Sequence, residues 1–154
     1  MEYQQWTNKQ GFIVSTDPDK VDIEVLHNFL STESYWAQNI PKKLVERGVK
    51  NSLNFSLFSP QNRFIGYAKL ITDRATFAYI ADVYVDKKFR GKGLGKWLMD
   101  CIMHHPDLQN LRMWMLHTKD AHGLYKQFGF SQPDNLEKTM HIYSPASECY
   151  KEAN

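Results

Sequence analysis

The chain has 154 residues, 19 of them Lys or Arg and 17 Asp or Glu, for a formal net charge of +2. With 42% hydrophobic and 23% charged residues, it reads as one domain over 1–154 that buries a core of its own, which argues against wholesale disorder and a general nucleic-acid coat. No apolar run approaches the roughly 18 residues of a spanning helix, the N-terminus is polar, and Cys101 and Cys149 fall in no disulfide or metal spacing, so a reducing cytoplasm is the expected setting and a membrane is not.

In chain order, Gly11–Thr16 predicts a first strand. Asp22 caps a helix whose Ile23, Leu26 and Leu30 recur at helical spacing, widened by Val25 and Phe29. Glu33–Arg47 is helix-like, but Pro41 breaks it into two short helices with an irregular joint at Trp36–Leu44, and Gly48 ends it. Ser52–Phe58, Arg63–Thr72 and Thr76–Val85 are strand-like and joined by short turns, which predicts an antiparallel meander. Leu94, Trp97, Leu98, Cys101 and Ile102 then mark an amphipathic helix closed by His104-His105-Pro106. Leu111–His117 is another strand. Ala121, Leu124, Tyr125 and Phe128 line the buried face of a short helix stopped by Gly129. From Phe130 a weaker β region, including Lys138–Tyr143, leads to a loose tail after Ser144. A strand, helix and strand over Thr76–His117 require a parallel pair. The fold class is therefore α/β: an antiparallel N-terminal meander plus a parallel strand pair, with helices on both faces.

Charge is concentrated between Asp86 and Lys96, where Lys87, Lys88, Arg90, Lys92 and Lys96 stand against one acid. Within this run Arg90-Gly91-Lys92-Gly93-Leu94-Gly95-Lys96 joins an apolar strand to a helix. Glycines there let successive backbone N–H groups turn inward around an anion, and the helix start adds its unpaired N–H groups. A phosphate-bearing ligand is implied. Neither common nucleotide loop fits, because Lys96 stands where both the Walker and the dinucleotide patterns place a glycine.

Arg90, Gly93 and Gly95, read as Arg-x-x-Gly-x-Gly after Asp82-Val83-Tyr84-Val85, resemble the pyrophosphate loop of the GNAT N-acetyltransferase superfamily. Gly123-Leu124-Tyr125-Lys126-Gln127-Phe128-Gly129-Phe130 is similar to that family's Leu-Tyr-x-x-x-Gly-Phe element, in the same order and on the same kinds of element. The resemblance implies acetyl-CoA as cofactor, its pyrophosphate on Arg90, Gly91, Lys92, Gly93, Leu94, Gly95 and Lys96. It also implies backbone contacts from Val83, Tyr84 and Val85, and Tyr125 as proton donor to the leaving thiolate. By periodicity alone Tyr125 is a core aromatic. Thr118 occupies the position of a cofactor-contacting Asn in many members, and either substitutes for it or caps the next helix. Tyr35 and Trp36 fall in the region that walls the acceptor pocket, or else in the core.

Asp82 carries weight of its own. An unpaired carboxylate in an apolar strand costs several kcal/mol if buried, so it needs a partner or a wet cleft; it is the candidate substrate contact and general base. His117, Asp120 and His122 match no familiar ligand spacing, and no metal is expected. The implied activity is acetyl transfer from acetyl-CoA to a primary amine of a small molecule, peptide or protein, by direct attack in a ternary complex. The alternatives are a non-catalytic acyl-CoA-binding or sensing module and, more remotely, a nucleic-acid-binding domain. A homodimer is compatible with the sequence but not derivable from it.

Overall fold

The computed structural model describes residues 2–151. Its frame is a six-stranded sheet in chain order: β1 (Gln5–Thr7), β2 (Ile13–Ser15), β3 (Leu53–Phe58), β4 (Phe64–Thr72), β5 (Phe77–Val85) and β6 (Met113–Leu116). The first five strands pair antiparallel, and β6 joins β5 in parallel from Phe77↔Met113 to Ile80↔Leu116. Short turns join β1 to β2 and β3 to β4 to β5, the long connection between Ser15 and Leu53 returns the chain from β2 to β3, and a helical crossover makes the parallel pair.

All six residues of β3 are buried, because helices cover both sheet faces. On one face α1 (Ile23–Asn28) and α2 (Lys42–Lys50) set Leu26, Val45 and Val49 against Phe58, Phe64, Tyr67 and Tyr84. On the other, α3 (Leu94–Met103) and α4 (His122–Lys126) bring Leu94, Leu98, Ile102 and Tyr125 onto Phe55, Leu57, Ile65 and Ile80. Each fully buried aliphatic here contributes about 1.5–3 kcal/mol. Local signals hold where side chains can act on them. Asp22 accepts from Val25 N at 3.1 Å and starts α1. Asp73 accepts from the amides of Ala75, Thr76 and Phe77 and from the Thr76 hydroxyl, which shapes the β4–β5 turn and holds its carboxyl well below the usual range.

Several expectations need correction. β1 precedes the expected first strand: only Trp6 of its three residues turns inward, stacking on Phe55 at 6.1 Å between centroids, so no apolar alternation announces it. Of the two short helices expected over Glu33–Arg47 only the second forms, after an irregular joint. After α1 the chain makes one wide turn over Phe29–Glu33, where Ser31, Thr32 and Ser34 hydroxyls donate back to carbonyls four residues earlier. It then runs irregularly to Pro41, which starts α2 rather than bending it. Gly48 does not stop α2, since burial of Val45 and Val49 carries the helix to Lys50. Lys138–Tyr143 forms no strand, because none of the described residues pairs with it. The tail carries a short helix, α5 (Ala146–Cys149). No helix among the described residues is long and apolar enough to cross a membrane.

Candidate functional site

β5 is paired on both sides only as far as Ile80; beyond it β6 has no further register partner and the two parallel strands part. The wedge that opens there is where the sheet exposes backbone groups away from its rims. At the same point the β4–β5 register shifts between Tyr67 and Lys69, leaving one extra residue on β5. Asp82 takes up the bulge with a φ of 54°, a left-handed conformation that costs a non-glycine residue about 1 kcal/mol or more. Bulges re-aim side chains. This one turns the Asp82 carboxylate onto Lys69 Nζ at 2.8 Å and onto the indole of Trp36, whose Nε1 donates at 2.8 Å.

Farther along β5, Asp86 N donates to Ile65 O on β4, so by strand alternation Val85 presents its N–H and C=O to the wedge. Arg90 Nε donates to that Val85 carbonyl at 2.8 Å and ties the glycine loop to the strand end. Gly91 and Gly93 have φ of 79° and 75°, values that glycine adopts without strain. A Cβ built at Gly91, Gly93 or Gly95 would meet no atom within 4 Å. The protein's own packing does not require these glycines to be small. α3 starts at Leu94, so the N–H groups of Leu94, Gly95 and Lys96 precede the first intrahelical bond, made by Trp97 N to Gly93 O. Lys92 lies over the Phe89 ring, and Lys87 pairs with Glu33 at 3.3 Å, which joins the loop to the α1 extension.

The opposite wall is α4. Tyr125 is buried, edge-on to Phe130 at 6.0 Å. Burial raises its phenol pKa, and the nearby Tyr35 and Asp120 add to the effect. Thr118 accepts from Ala121 N at 3.0 Å, so its hydroxyl caps the turn into α4. The irregular Ser34–Pro41 segment forms the roof. Tyr35 and Trp36 are both exposed and meet edge to face at 5.0 Å; Trp36 also leans on Phe29, which stacks on Tyr84 at 3.8 Å. Lys119 sits over the Tyr35 ring at 5.4 Å.

The structure thus brings together Tyr35, Trp36, Asp82 and Tyr125 around the wedge, Val83–Val85 along one wall and Arg90–Lys96 at its tip. Three further side chains, Lys69, Tyr79 and Tyr150, escaped sequence reading, as did the pairing of His117. Lys69 is the partner Asp82 needs, and the same burial-cost reasoning applied to the lone cation of Phe64–Thr72 finds it. Tyr79 and His117 bond through the phenol oxygen and Nδ1 at 2.8 Å across β5 and β6. Half-buried Tyr150 comes from the tail; burial, Cys149 and the Asp82 charge all push its phenol up. No cluster of three or more metal-ligating residues occurs among the described residues. A cavity of about 350 Å³ lies at the far end of β3 and β4, beside Asn54, Thr72, Arg74 and His105, and shares no residue with the wedge.

Residues 54–132 match the family profile of the acetyltransferase (GNAT) domain. A crystal structure from Xanthomonas campestris pv. campestris, of a protein assigned to the GNAT acetyltransferases, is 45% identical, covers 88% of this chain and 94% of that one, and superposes with a TM-score of 0.85. FG08082 of Gibberella zeae, assigned as an acetyltransferase, is 26% identical over 82% of each chain. A Clostridium acetobutylicum protein solved with acetyl-CoA shares the fold at 16% identity and a TM-score of 0.60, over 91% of this chain and 99% of that one.

Proposed function

This chain belongs to the GNAT acetyltransferase family, and on that premise we propose that it moves an acetyl group from acetyl-CoA to a primary amine of a small molecule, peptide or protein, by direct attack in a ternary complex. The observation that carries this reading is the junction of an open glycine nest with a wedge lined by a buried phenol and a bulged carboxylate. Arg90–Lys96 and the first amides of α3 suit a pyrophosphate, since the space above Gly91 and Gly93 is free of protein atoms. Solved relatives of the same fold hold acetyl-CoA or CoA, which agrees with that assignment.

The thioester supplies an activated carbonyl carbon and a thiolate leaving group; the C–N bond forms and the C–S bond breaks, and starting from an ammonium the nitrogen loses two protons, of which sulfur gains one and solvent the other. The inward N–H of Val85 is the fixed donor available to an oxyanion. Tyr125 stays protonated at neutral pH and supplies the proton to sulfur. A lysine-like acceptor, with a pKa of about 10.4, arrives as an ammonium. Asp82 receives that cation and takes its proton, directly or through water, while Trp36 and Tyr35 enclose its carbon chain. Cys101 takes no part: burial pushes its thiol up to about 12. Two free cysteines suit a reducing cytoplasm.

The test is release of free CoA by the purified protein with acetyl-CoA and a panel of primary amines. Amine-dependent release with N-acetylated product supports transfer. Tight acetyl-CoA binding with no release on any amine, and no product by mass spectrometry, turns the reading into a sensing module.

A further inference from the structure

The cavity of about 350 Å³ at the far end of β3 and β4 is walled by four stretches remote in sequence: Glu2 and Tyr3 before β1, Lys50 and Ser52 at the end of α2, Arg74 in the β4–β5 turn, and His105 between α3 and β6. Other polar side chains of the wall already have their partners. Asn54 donates to the carbonyls of Val49 and Ser52 and accepts from the Tyr67 phenol. The Thr72 hydroxyl accepts from Arg74 N and donates to Phe77 O, and that of Thr16 accepts from Gln4 N.

His105 is the exception. It is 2% exposed, and its Nδ1 accepts from Asp107 N at 3.1 Å, so the neutral ring carries its proton on Nε2. That N–H meets no acceptor among the described residues, yet it is not sealed in by protein as Ser56 Oγ and the Tyr84 phenol oxygen are; it opens onto the cavity that the ring lines. A donor taken out of water and left without a partner costs its desolvation in full, and a ligand in the cavity removes that cost. Arg74 adds to it. Its Nη1 holds the Asp107 carboxylate at 2.6 Å with the side chain 29% exposed, which leaves the N–H groups of Nη2 and Nε unused. The Lys50 ammonium and the Ser52 hydroxyl likewise have no hydrogen-bond partner among the described residues. Against these donors stands one carboxylate on the wall, that of exposed Glu2.

We propose that this cavity is a second ligand site, separate from the acetyl-transfer wedge, for a small organic anion. Its carboxylate or phosphate group accepts from His105 Nε2 and Arg74, with the Lys50 charge beside it, and its body lies against Tyr3, which is 51% exposed. The vacant groups are donors, two of them cationic, and charge-assisted hydrogen bonds are the strong ones. The volume falls within the range of small-molecule pockets, about 300–1,000 Å³, and is too large for a bare ion. By joining the N-terminal residues, the end of α2, the β4–β5 turn and the α3–β6 connection, such a ligand also stabilises the fold by mass action.

The test uses the full chain with its glycine nest filled by saturating CoA, and three probes of one body: benzoate, phenyl phosphate and uncharged benzamide. Calorimetry is expected to give one site per chain with a dissociation constant of about 1 mM or tighter for at least one of the two anions, and benzamide about tenfold weaker or more. The tighter anion identifies the head group. Nitrogen-15 spectra of the histidine side chains are expected to show His105 Nε2 moving with the same titration, and the melting temperature to rise. Arg74→Gln, which gives up only a part-exposed ion pair, is expected to stay folded and to weaken the anion about tenfold or more; His105→Phe keeps the ring volume and is expected to do the same. Absence of binding by both anions overturns the proposal. So do displacement of the probe by added CoA, benzamide binding as tightly as the anions, a His105 resonance that stays fixed, or undiminished affinity in Arg74→Gln.

Discussion

Tyr125 and Asp82 act through surroundings that the fold imposes on them. Burial, with help from Tyr35 and Asp120, raises the Tyr125 phenol above its ordinary value. Donation to a thiolate of pKa about 8.5 is then uphill by more than about 2 kcal/mol from a phenol whose ordinary pKa is about 10, and solvent restores the proton afterwards. Tyr125→Phe keeps the ring against Phe130 and removes the proton, so turnover should fall about tenfold or more with little change in melting temperature or acetyl-CoA affinity. Wild-type turnover under chemistry-limited conditions would leave Tyr125 a core aromatic. For Asp82 the partner decides what is measured. Asp82→Asn leaves Lys69, whose side chain is 21% exposed, without its anion, at a cost of about 1–3 kcal/mol. It should also lower kcat/KM for cationic amines about tenfold or more between about pH 6 and 9, where such amines carry charge. Adding Lys69→Met should restore the melting temperature and not the activity. Recovery of both would make the pair structural.

At the scale of elements, the loop into α3 is the part whose local sequence and function coincide. Gly93 is the N-terminal cap of α3 with a φ of 75°, a region that β-branched residues avoid. Its missing Cβ faces open space, so Gly93→Val should leave the fold standing, with the helix start strained by about 1–2 kcal/mol. Calorimetry should then show no acetyl-CoA binding by the folded variant, and retained affinity would separate the loop from the cofactor. The α1–α2 connection behaves in the opposite way. Its helix-like pattern over Glu33–Arg47 was misleading because hydroxyls of Ser31, Thr32 and Ser34 bond locally and Asn39 adopts a φ of 64°. The segment is thereby kept irregular, and irregular backbone is what lets Tyr35 and Trp36 reach across to Asp82 and Lys119.

Across the whole molecule, His105 links elements remote in sequence. It lies in the α3–β6 connection, 2% exposed, with its ring against Trp6 of β1 and Phe55 of β3 at 6.3 and 5.8 Å. Its Nδ1 accepts from Asp107 N at 3.1 Å, which calls for a neutral ring. Burial lowers its pKa; the Asp107 charge opposes that and the Arg74 charge adds to it. A lowered folded pKa means that the unfolded chain binds the proton first. Stability from this site is therefore complete above the ordinary histidine value of about 6.5 and drains away as pH falls through the folded value, with a slope of at most about 1.4 kcal/mol per pH unit. Melting temperatures between about pH 7 and 5 should fall more steeply in the wild type than in His105→Phe, whatever the offset between them. Equal slopes would remove His105 as a source of acid sensitivity.

The sequence by itself determined the meander, the crossover, the glycine nest and the positions of Tyr125 and Asp82, because each is written in neighbouring residues. Alternation, helical spacing and glycine placement act over a few peptide units, and their physical consequences are local. Tertiary structure decided what those residues meet. Asp82 finds Trp36 across 46 positions of chain and Lys69 through a register shift between β4 and β5, and no local pattern encodes which of two strands carries the extra residue. β1 exists because β2 offers it an edge and Phe55 offers Trp6 a surface; its own residues are too polar to require it. Lys138–Tyr143 has the alternation of a strand and no partner among the described residues, since a strand needs a second backbone to bond to and sequence specifies only one side of that pairing.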